Sequence, residues 1–449
     1  MLPPSLPGLP ILGNMLEFRR DPVACIRAAY SRLGPIFALR LGPKQVVVMI
    51  GPEYHRLFFK ESDRSLTTPE VYYFLTPMFG EVLGACPFHD YKAQRRAISR
   101  FFARDVLDRH VEVMLRETEA FAEALGQSGE FELWQAAEHL ALTIAAKAVL
   151  GADFWKEPGA DFCTLFRDIA GGMDYILPSN LPLPRFLRRN AARRKLVDHI
   201  GQLVERRRRP GGAIDDLFQH FVDAQGADGS PLRPETVAGL AMIMVHGAYE
   251  TVAAQACWCL IDLIVRPQLL DDVLREQQIV LGGDGTLTAE ALDKLVLLRS
   301  CIQETMRLRP AATVVCRYAA KSVTAGPYTI PVGSLVMICP GAAHRLPDLF
   351  PEPDVFRADR FQNDPSCGDR HNFVTFGGGQ HGCLGADFTL AEISILLTTF
   401  LRRFTLRLTT PYPQPDYALS VTRPKPPCIV RYATRCPVSA PISAESAAA

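Results

Sequence analysis

One cysteine, Cys383, lies in a glycine-rich stretch. Residues 376–385 read FGGGQHGCLG, and an apolar helical pattern, AEISILLTTF, follows at residues 391–400. Glycines allow a tight backbone turn and the close approach of a flat ligand. The amides of such a loop, together with the N-terminus of the helix, can lower the pKa of a thiol and hold it as a thiolate. A thiolate is a soft ligand that suits the iron of haem. The alternative is a glycine-rich turn around a buried structural cysteine.

A second candidate site lies in the longest uninterrupted helical pattern of the chain, residues 234–266, which is apolar almost all round. Such a helix is predicted to cross the interior of the protein. Glu250 and Thr251 lie in its middle, where a carboxylate is costly to bury unless it has a partner or a task. Gly247 and Ala248 leave room for a water or dioxygen, and the acid and the hydroxyl can relay protons. The alternative is a capped or salt-bridged glutamate.

The composition argues against several classes of protein. The 449-residue chain has a formal net charge of +1, which gives no electrostatic signal for nucleic acid or anionic membranes. Its twelve cysteines include no Cys-x-x-Cys pair, so neither a zinc site nor a redox dithiol is indicated. The first residues, MLPPSLPGLPILGN, are too rich in proline for a membrane-spanning helix and resemble no signal peptide. We therefore expect a soluble, cytoplasmic protein without a membrane anchor.

No linker rich in serine or glycine divides the chain, and a single domain is expected over residues 1–435. Residues 436–449 lack aromatic anchors and are predicted to be disordered. Near the N-terminus, a helix over residues 21–34 and a β-hairpin over residues 36–50 are predicted. From Asp90, the pattern DYKAQRRAISRFFARDVL predicts one basic helix.

Two segments suit the covering of a lipophilic pocket. Residues 68–84 are rich in aromatic side chains and broken by Pro and Gly, which is typical of a loop over a ligand. An aromatic loop in the core is the alternative. Residues 172–186 are interrupted by prolines and carry the apolar Met173, Tyr175 and Ile176, so they are predicted to form a lid. A plain surface connection is the alternative.

The spacing Phe-x-x-Gly-x-His-x-Cys-x-Gly in residues 376–385 resembles the haem-ligand signature of the cytochrome P450 superfamily, the haem-thiolate monooxygenases. The run Gly-Ala-x-Glu-Thr at residues 247–251 is similar to the acid–alcohol motif of that superfamily, although Ala248 stands where a second glycine is usual. The matching motifs extend over nearly the whole chain. The resemblance implies the mainly α cytochrome P450 fold with a smaller β region. It also implies haem b, iron protoporphyrin IX, as the cofactor.

The resemblance implies how the haem is held. The Cys383 thiolate matches the axial ligand of the iron, and Arg95, or its neighbour Arg96, matches a position that binds a haem propionate. Tyr91 stands where many relatives carry Trp or His. Arg317 and His381 also match positions that bind the propionates. As an alternative role, His381 could be a metal ligand or a base, but no partner cluster accompanies it. The cofactor-binding residues implied are Tyr72, Arg95, Arg317, Phe376, His381, Cys383 and Gly385.

Glu304 and Arg307 are three residues apart on a predicted helix, so they share one face of it. Exposed ion pairs of this kind are common and contribute little to stability. The superfamily, however, joins its Glu-x-x-Arg pair to an arginine in a later segment, and PDVFRADRF offers Arg360. The resemblance thus implies a structural triad that steadies the cysteine loop.

The pattern Tyr72-x-x-Leu75-x-Pro77-x-Phe79 is similar to a loop of the sterol 14α-demethylase branch, whose tyrosine faces haem and substrate. True sterol demethylases carry His-Thr where this chain has Glu250-Thr251. The similarity therefore supports common ancestry and pocket shape more than a shared substrate. The substrate pocket implied by the resemblance comprises Tyr72, Phe79, Met173, Gly247, Ala248, Ala311, Ala312 and Val315.

The resemblance implies a monooxygenase that inserts one atom of O2 into a lipophilic substrate of terpenoid, steroid or polyketide type, in secondary metabolism. Electrons are expected from a separate ferredoxin and ferredoxin reductase, or from a flavodoxin-type donor, and no nucleic acid partner is expected. One alternative is a haem-thiolate peroxygenase or isomerase that needs no reductant, against which Glu250 and Thr251 argue. The other is a non-catalytic haem or small-molecule binding protein.

Overall fold

The structure is a computed structural model, and it describes residues 1–156, 162–174, 177–282, 285, 287–417 and 421–435. The chain is 56% helical with smaller sheet regions, so the expected mainly α fold with a smaller β region is confirmed. Tyr175 and Ile176 of the predicted lid lie outside the described residues, as does the predicted tail 436–449.

The helices follow one another with few strands between them in the middle of the chain. They are α1 (Met15–Arg20), α2 (Pro22–Leu33), α3 (Pro52–Glu61), α4 (Pro69–Tyr72), α5 (Thr76–Phe79), α6 (Phe88–Ser99), α7 (Leu107–Leu125), α8 (Leu133–Leu150), α9 (Phe162–Ala170), α10 (Pro184–Arg208), α11 (Leu217–Val222), α12 (Pro234–Ile264), α13 (Pro267–Leu281), α14 (Ala289–Lys294), α15 (Val296–Leu308), α16 (Pro340–Ala343), α17 (Arg360–Asn363) and α18 (Ala386–Arg403).

Apart from one strand at residues 128–132, the strands come from residues 36–67 and residues 315–434. They are β1 (Ile36–Leu41), β2 (Lys44–Met49), β3 (Leu66–Thr67), β4 (Ser128–Glu132), β5 (Val315–Ala319), β6 (Val323–Ala325), β7 (Tyr328–Ile330), β8 (Leu335–Ile338), β9 (Phe404–Leu408), β10 (Pro415–Asp416), β11 (Arg423–Pro424) and β12 (Ile429–Thr434). The largest sheet has the order β1-β2-β8-β5-β3, and a three-stranded sheet has the order β4-β12-β9. The chain therefore joins distant segments within one sheet.

Local sequence signals place the N-terminal elements as predicted. The Asp21 side chain accepts a hydrogen bond from the Ala24 amide at the start of α2, and Gly34 follows its end with a φ of 84°. An aspartate N-cap and a glycine in the left-handed region are the usual signals for the two ends of a helix. β1 and β2 pair antiparallel, as expected for the hairpin.

α12 extends over 31 residues, and it packs against α8, α10 and α18. By length and composition, α12 and the segment Gly379–Arg403 could each cross a membrane, but 67% and 72% of their most apolar windows are buried inside the protein. The prediction of an interior helix at this place is confirmed.

The single helix predicted from Asp90 is wrong at its C-terminal end. α6 ends at Ser99, and two 3-10 turns, Arg100–Phe102 and Arg104–Val106, follow it. Between the two turns, Ala103 has an extended backbone. The break allows the Phe101 ring to be buried 4.3 Å from the His110 ring, measured between centroids. Tertiary burial of an aromatic side chain thus overrides the helical pattern.

The arginine run at the end of α10 contains a buried member that the sequence does not single out. Arg207 has 1% side-chain exposure and forms ion pairs with Asp153 and Asp216. Its Nε donates to Asp153 Oδ2 at 3.1 Å, and its Nη1 donates to Asp216 Oδ1 at 2.5 Å. This arginine therefore ties the end of α10 to the segments before α9 and α11.

We predict that Arg207→Ala destabilises the protein by about 3–5 kcal/mol, because removing one partner of a buried ion pair leaves the other charges uncompensated. Arg209→Ala, two residues away and exposed, is the matched control and should change the stability by no more than about 0.5 kcal/mol. Urea denaturation followed by circular dichroism measures both values. Equal midpoints for the two variants would contradict the prediction.

Candidate active site

The cysteine loop has a backbone that requires glycine at defined positions. Gly377 and Gly379 have φ values of 67° and 63°, in the left-handed region that other residues rarely adopt. A Cβ on Gly378 would lie 2.7 Å from the Phe59 ring. The Cys383 amide donates to the Phe376 carbonyl at 2.8 Å. The loop is thus folded back on itself and packed against α3.

The same packing places Cys383 just before α18. A Cβ on Gly385 would lie 3.1 Å from the Phe102 ring, so the loop approaches this side chain closely. Of the eleven free cysteines that the structure describes, Cys383 is the exposed one. This thiol is therefore the one that a ligand can reach most readily.

The electrostatic surroundings of Cys383 differ from the expectation of a thiolate held by the loop amides. Although the residue keeps accessible surface on one side, protein atoms surround the thiol on the others, and this burial raises its pKa, whereas the Gly385 amide and the positive charge of Arg95 lower it. The raising effect of burial is the largest of the three. The loop alone therefore favours a neutral thiol, and a bound metal cation would supply the charge that keeps it deprotonated.

The middle of α12 is open, whereas the residues on both sides of it are buried. Gly247 is exposed, and Ala248, Glu250 and Thr251 are only partly buried. A Cβ on Gly247 would meet no atom within 4 Å. Because α12 lies inside the protein, this open stretch is the wall of an internal cleft, which we call the α12 cleft.

The two predicted proton-transfer groups are held by hydrogen bonds on this helix. The Thr251 hydroxyl donates to the Gly247 carbonyl at 2.8 Å, and the Tyr249 hydroxyl donates to Glu250 Oε1 at 2.8 Å. Burial, and next the Glu250 carboxylate, raise the pKa of Tyr249, so the phenol stays protonated as a donor. The two groups are adjacent and fixed in orientation.

Glu250 is connected to charged groups nearer the surface. Burial raises the pKa of Glu138 on α8, the Arg167 charge lowers it, and the Glu250 carboxylate raises it. Arg167 lies with its Nε 3.6 Å from Glu138 Oε2, and its Nη2 lies 3.2 Å from the ring nitrogen Nδ1 of exposed His139. A series of ionisable groups thus leads from the surface towards Glu250.

Arg95, rather than Arg96, faces the cysteine loop. Its Nη2 donates to the Gly382 carbonyl at 2.8 Å, and its Nη1 donates to the Tyr91 hydroxyl at 3.1 Å. Arg96 is exposed. Tyr91 in turn donates to the Gln380 carbonyl at 2.7 Å. Of the two candidate arginines, the structure therefore brings Arg95 to the loop.

Arg317 and His381 lie near the same tyrosine. Arg317 is 3% exposed, and its charge, like that of Arg95, lowers the pKa of Tyr91, which burial raises. The His381 ring stacks on the Tyr91 ring with a 4.3 Å centroid distance. His381 Nε2 lies 2.7 Å from Asp63 Oδ2. The sequence analysis did not identify Asp63 as a functional residue. No sequence pattern near Asp63 indicates that it pairs with His381, which is 318 residues away in the chain.

Comparison with known proteins identifies the family. The sequence model of the family described as "Cytochrome P450" matches residues 3–431 of this chain. The chain belongs to the cytochrome P450 family.

Several relatives of this cytochrome P450 are sterol demethylases. It is 31% identical to the obtusifoliol 14-alpha demethylase of Triticum aestivum, with 96% of this chain and 98% of the relative covered. It is also 31% identical to the lanosterol 14-alpha demethylase of Bos taurus, with 95% and 86% covered. The solved structure of a retinoic acid-bound cyanobacterial CYP120A1 matches with a TM-score of 0.84 at 23% identity, covering 97% of this chain and 99% of that one. That likeness shows the cytochrome P450 fold.

The protein is thus a cytochrome P450 monooxygenase, and the family uses haem as its cofactor. The groups at and near the cysteine loop fit a haem. Among the described residues, no three or more His, Cys, Asp or Glu side chains are grouped to hold a metal ion, and haem iron needs only axial ligands from the protein. Cys383 offers the thiol, and Arg95 and Arg317 offer guanidinium groups for two carboxylates.

The predicted pocket residues differ in their accessibility. Tyr72 is partly buried, and burial raises its pKa while the nearby Arg317 lowers it. Phe79 is 1% exposed, and its ring stacks on Phe166 with a 6.5 Å centroid distance. Phe79 therefore has almost no surface for a substrate and instead packs behind the residues of the cleft. Partly buried members, whose side chains keep accessible surface, are Met173, Ala248, Ala311, Ala312 and Val315; Phe376 of the loop is also partly buried.

The structure brings Glu304, Arg307 and Arg360 into contact. Arg307 donates from Nε and Nη2 to the two oxygens of Glu304 at 2.7 and 2.8 Å, and Arg360 Nε donates to the same carboxylate at 3.1 Å. Glu304 and Arg307 have no side-chain exposure, and Arg360 has 3%. The remaining N–H groups of the arginines donate to backbone carbonyls, among them those of Pro351 and Pro353. This is a desolvated, fully hydrogen-bonded group rather than a surface ion pair.

A histidine that the sequence did not single out connects this group to the cysteine loop. His344 is fully buried, and its Nε2 accepts a hydrogen bond from the Val374 amide at 2.9 Å. Its Nδ1 lies 3.3 Å from the Arg307 carbonyl, to which it donates because Nε2 is the acceptor. Burial lowers the pKa of His344 well below its usual value, so the ring is neutral. Val374 then accepts from the Gly377 amide, inside the loop.

We predict that Glu304→Gln destabilises the protein by about 3–5 kcal/mol, because two buried guanidinium groups lose their counter-charge while the shape is kept. Glu290→Gln removes an exposed i, i+4 pair with Lys294 and is the matched control, expected to cost about 0.5 kcal/mol or less.

Thermal unfolding of the two variants measures this difference. Loss of haem at lower temperature should accompany the Glu304 change, because the triad is linked through His344 to the cysteine loop. A Glu304→Gln protein as stable as the Glu290→Gln protein would contradict the prediction.

Proposed function

We propose that this cytochrome P450 inserts one atom of O2 into a lipophilic substrate, and that Cys383 would hold the haem by its iron. The observation that carries the proposal is the place of Cys383: an exposed cysteine in a glycine loop directly before α18, a helix that packs against α12. Bound there, the haem supplies the redox chemistry that activates dioxygen.

The residues around the loop hold the haem by its carboxylates. Arg95 and Arg317 each carry a permanent positive charge suited to a propionate. His381 lies between Tyr91 and Asp63, so it has one ring nitrogen left for a further hydrogen bond. The buried Arg317 is fixed by hydrogen bonds to Ser62 Oγ and to the Cys316 carbonyl, which keeps the charge in place.

The open stretch of α12 supports the delivery of protons. Thr251 presents its hydroxyl beside Gly247, and Glu250 holds or moves a proton at its carboxylate. Glu138, whose raised pKa favours protonation, and Arg167 connect Glu250 with the surface. The apolar remainder of α12 excludes water from the cleft, so that protons arrive by this route.

The family implies a redox partner, and we propose a ferredoxin with its reductase as the donor. We propose a substrate of terpenoid, steroid or polyketide type, because Met173, Ala248, Ala311 and Val315, the apolar residues that the resemblance assigns to the pocket, all keep accessible surface. The relatives are named as demethylases of obtusifoliol and lanosterol, and this similarity supports the steroid type among the three.

The absorption spectrum of the reduced, carbon monoxide-bound protein tests the proposal. We expect the red-shifted Soret band of thiolate ligation, because Cys383 is the thiol that is open to a ligand. Cys383→Ser should abolish this band, since an alcohol does not replace a thiolate. Cys25→Ser, at a buried cysteine of α2, is the control and should keep it. A red-shifted band that survives in Cys383→Ser would overturn the proposal.

Glu250→Gln should lower product formation, driven by NAD(P)H, ferredoxin and reductase, by about 10²-fold, the usual scale of a lost proton-transfer group. Glutamine keeps the shape but cannot release a proton. The control is Glu235→Gln, in the first turn of the same helix and paired with Arg193 near the surface, which should turn over normally. An unchanged rate in Glu250→Gln would contradict this role.

A further inference from the structure

His246 places a polar ring in an aromatic part of the cleft wall. It lies on α12 directly before Gly247 and is partly buried. Its ring centroid is 5.2 Å from that of Phe79 and 6.0 Å from that of Tyr249. The Tyr249 hydroxyl is already bonded to Glu250. His246 is therefore the side chain through which this aromatic wall can offer a hydrogen bond to a ligand.

His246 is incompletely satisfied within the protein. Its Nδ1 is buried and has no hydrogen-bond partner among the described residues. Leaving a buried polar group unsatisfied costs about 1–3 kcal/mol, and an apolar ring of the same size would fill the place without that cost. The residue as a whole keeps accessible surface, whereas Nδ1 itself is enclosed. A rotation of the ring about its Cβ–Cγ bond, a soft torsion, would bring Nδ1 to an oxygen of a ligand in the cleft.

The charge state of the ring limits the chemistry of that ligand. Burial lowers the pKa of His246, and the Glu250 carboxylate acts in the opposite direction with a smaller effect. The imidazole is therefore neutral, with one nitrogen that donates and one that accepts. Phe79 from α5 and Tyr249 from α12 contribute no positive charge beside it.

We propose that His246 is the polar anchor of the α12 cleft and hydrogen-bonds a neutral oxygen, a hydroxyl or a ketone, on an otherwise apolar substrate. The inference rests on the proposed function and names the substrate class of the same site. A carboxylate does not fit, because it would approach the Glu250 carboxylate four residues along the helix without a compensating cation. A pure hydrocarbon does not fit either, since it would leave the ring unsatisfied.

Four probes of one skeleton test this inference: cyclododecane, cyclododecanol, cyclododecanone and cyclododecanecarboxylic acid. Binding to the purified holoenzyme is measured by equilibrium dialysis with labelled probes. The alcohol and the ketone should bind about tenfold more tightly than the hydrocarbon and the acid, the scale of one buried hydrogen bond. In His246→Phe, which keeps an aromatic ring, this preference should fall to less than about twofold. In His246→Gln, which can donate and accept, it should return.

The carbon monoxide spectrum of each preparation separates the two proposals. A missing thiolate band in the unmodified protein overturns the proposed function, and this inference with it. With the band intact, three results overturn the inference alone: an equal preference in His246→Phe, no preference or no binding for all four probes, or tightest binding of the acid. Loss of the preference in His246→Phe with its return in His246→Gln supports it.

Discussion

The buried carboxylate of Glu304 is the constraint on which the haem side of this protein depends. Two guanidinium groups share it, and all three side chains are almost completely removed from water. Such a group is stable only if every remaining donor is satisfied, which the backbone carbonyls of the irregular segment after α16 provide. The segment is therefore fixed by charge rather than by regular secondary structure.

The neutral ring of His344 transmits this order to the cysteine loop. It joins the last turn of α15 to Val374, and Val374 joins the loop at Gly377. On its other side the loop is held by Arg95 from α6 and by the ring of Phe59 from α3. Cys383 is thus positioned from several distant elements, and the loop itself needs to contribute only its glycines.

α12, in contrast to the polar contacts around the cysteine loop, is held mainly by apolar packing. It is almost wholly apolar and buried, and its open stretch depends on the absence of a side chain at Gly247. The polar groups at this point, Glu250, Thr251 and His246, lie among mostly apolar residues of the helix, and burying them is costly unless they have a partner or a function. Two of them bond within the helix, and the third lacks a protein partner for Nδ1. In our proposals, Glu250 and Thr251 transfer protons and His246 recognises the substrate.

The sequence by itself determined the glycine loop around Cys383, the interior helix α12, the N-terminal hairpin and the family, because each is encoded by local spacing: glycines with positive φ, apolar periodicity, caps and turns. Only the tertiary structure decided the partner of His381, the bridge through His344, the choice of Arg95 over Arg96, the burial of Arg207 and the end of α6. His381 and Asp63 are 318 residues apart. No local pattern records such a contact, since it arises only when packed elements bring distant polar groups together and burial makes their pairing necessary.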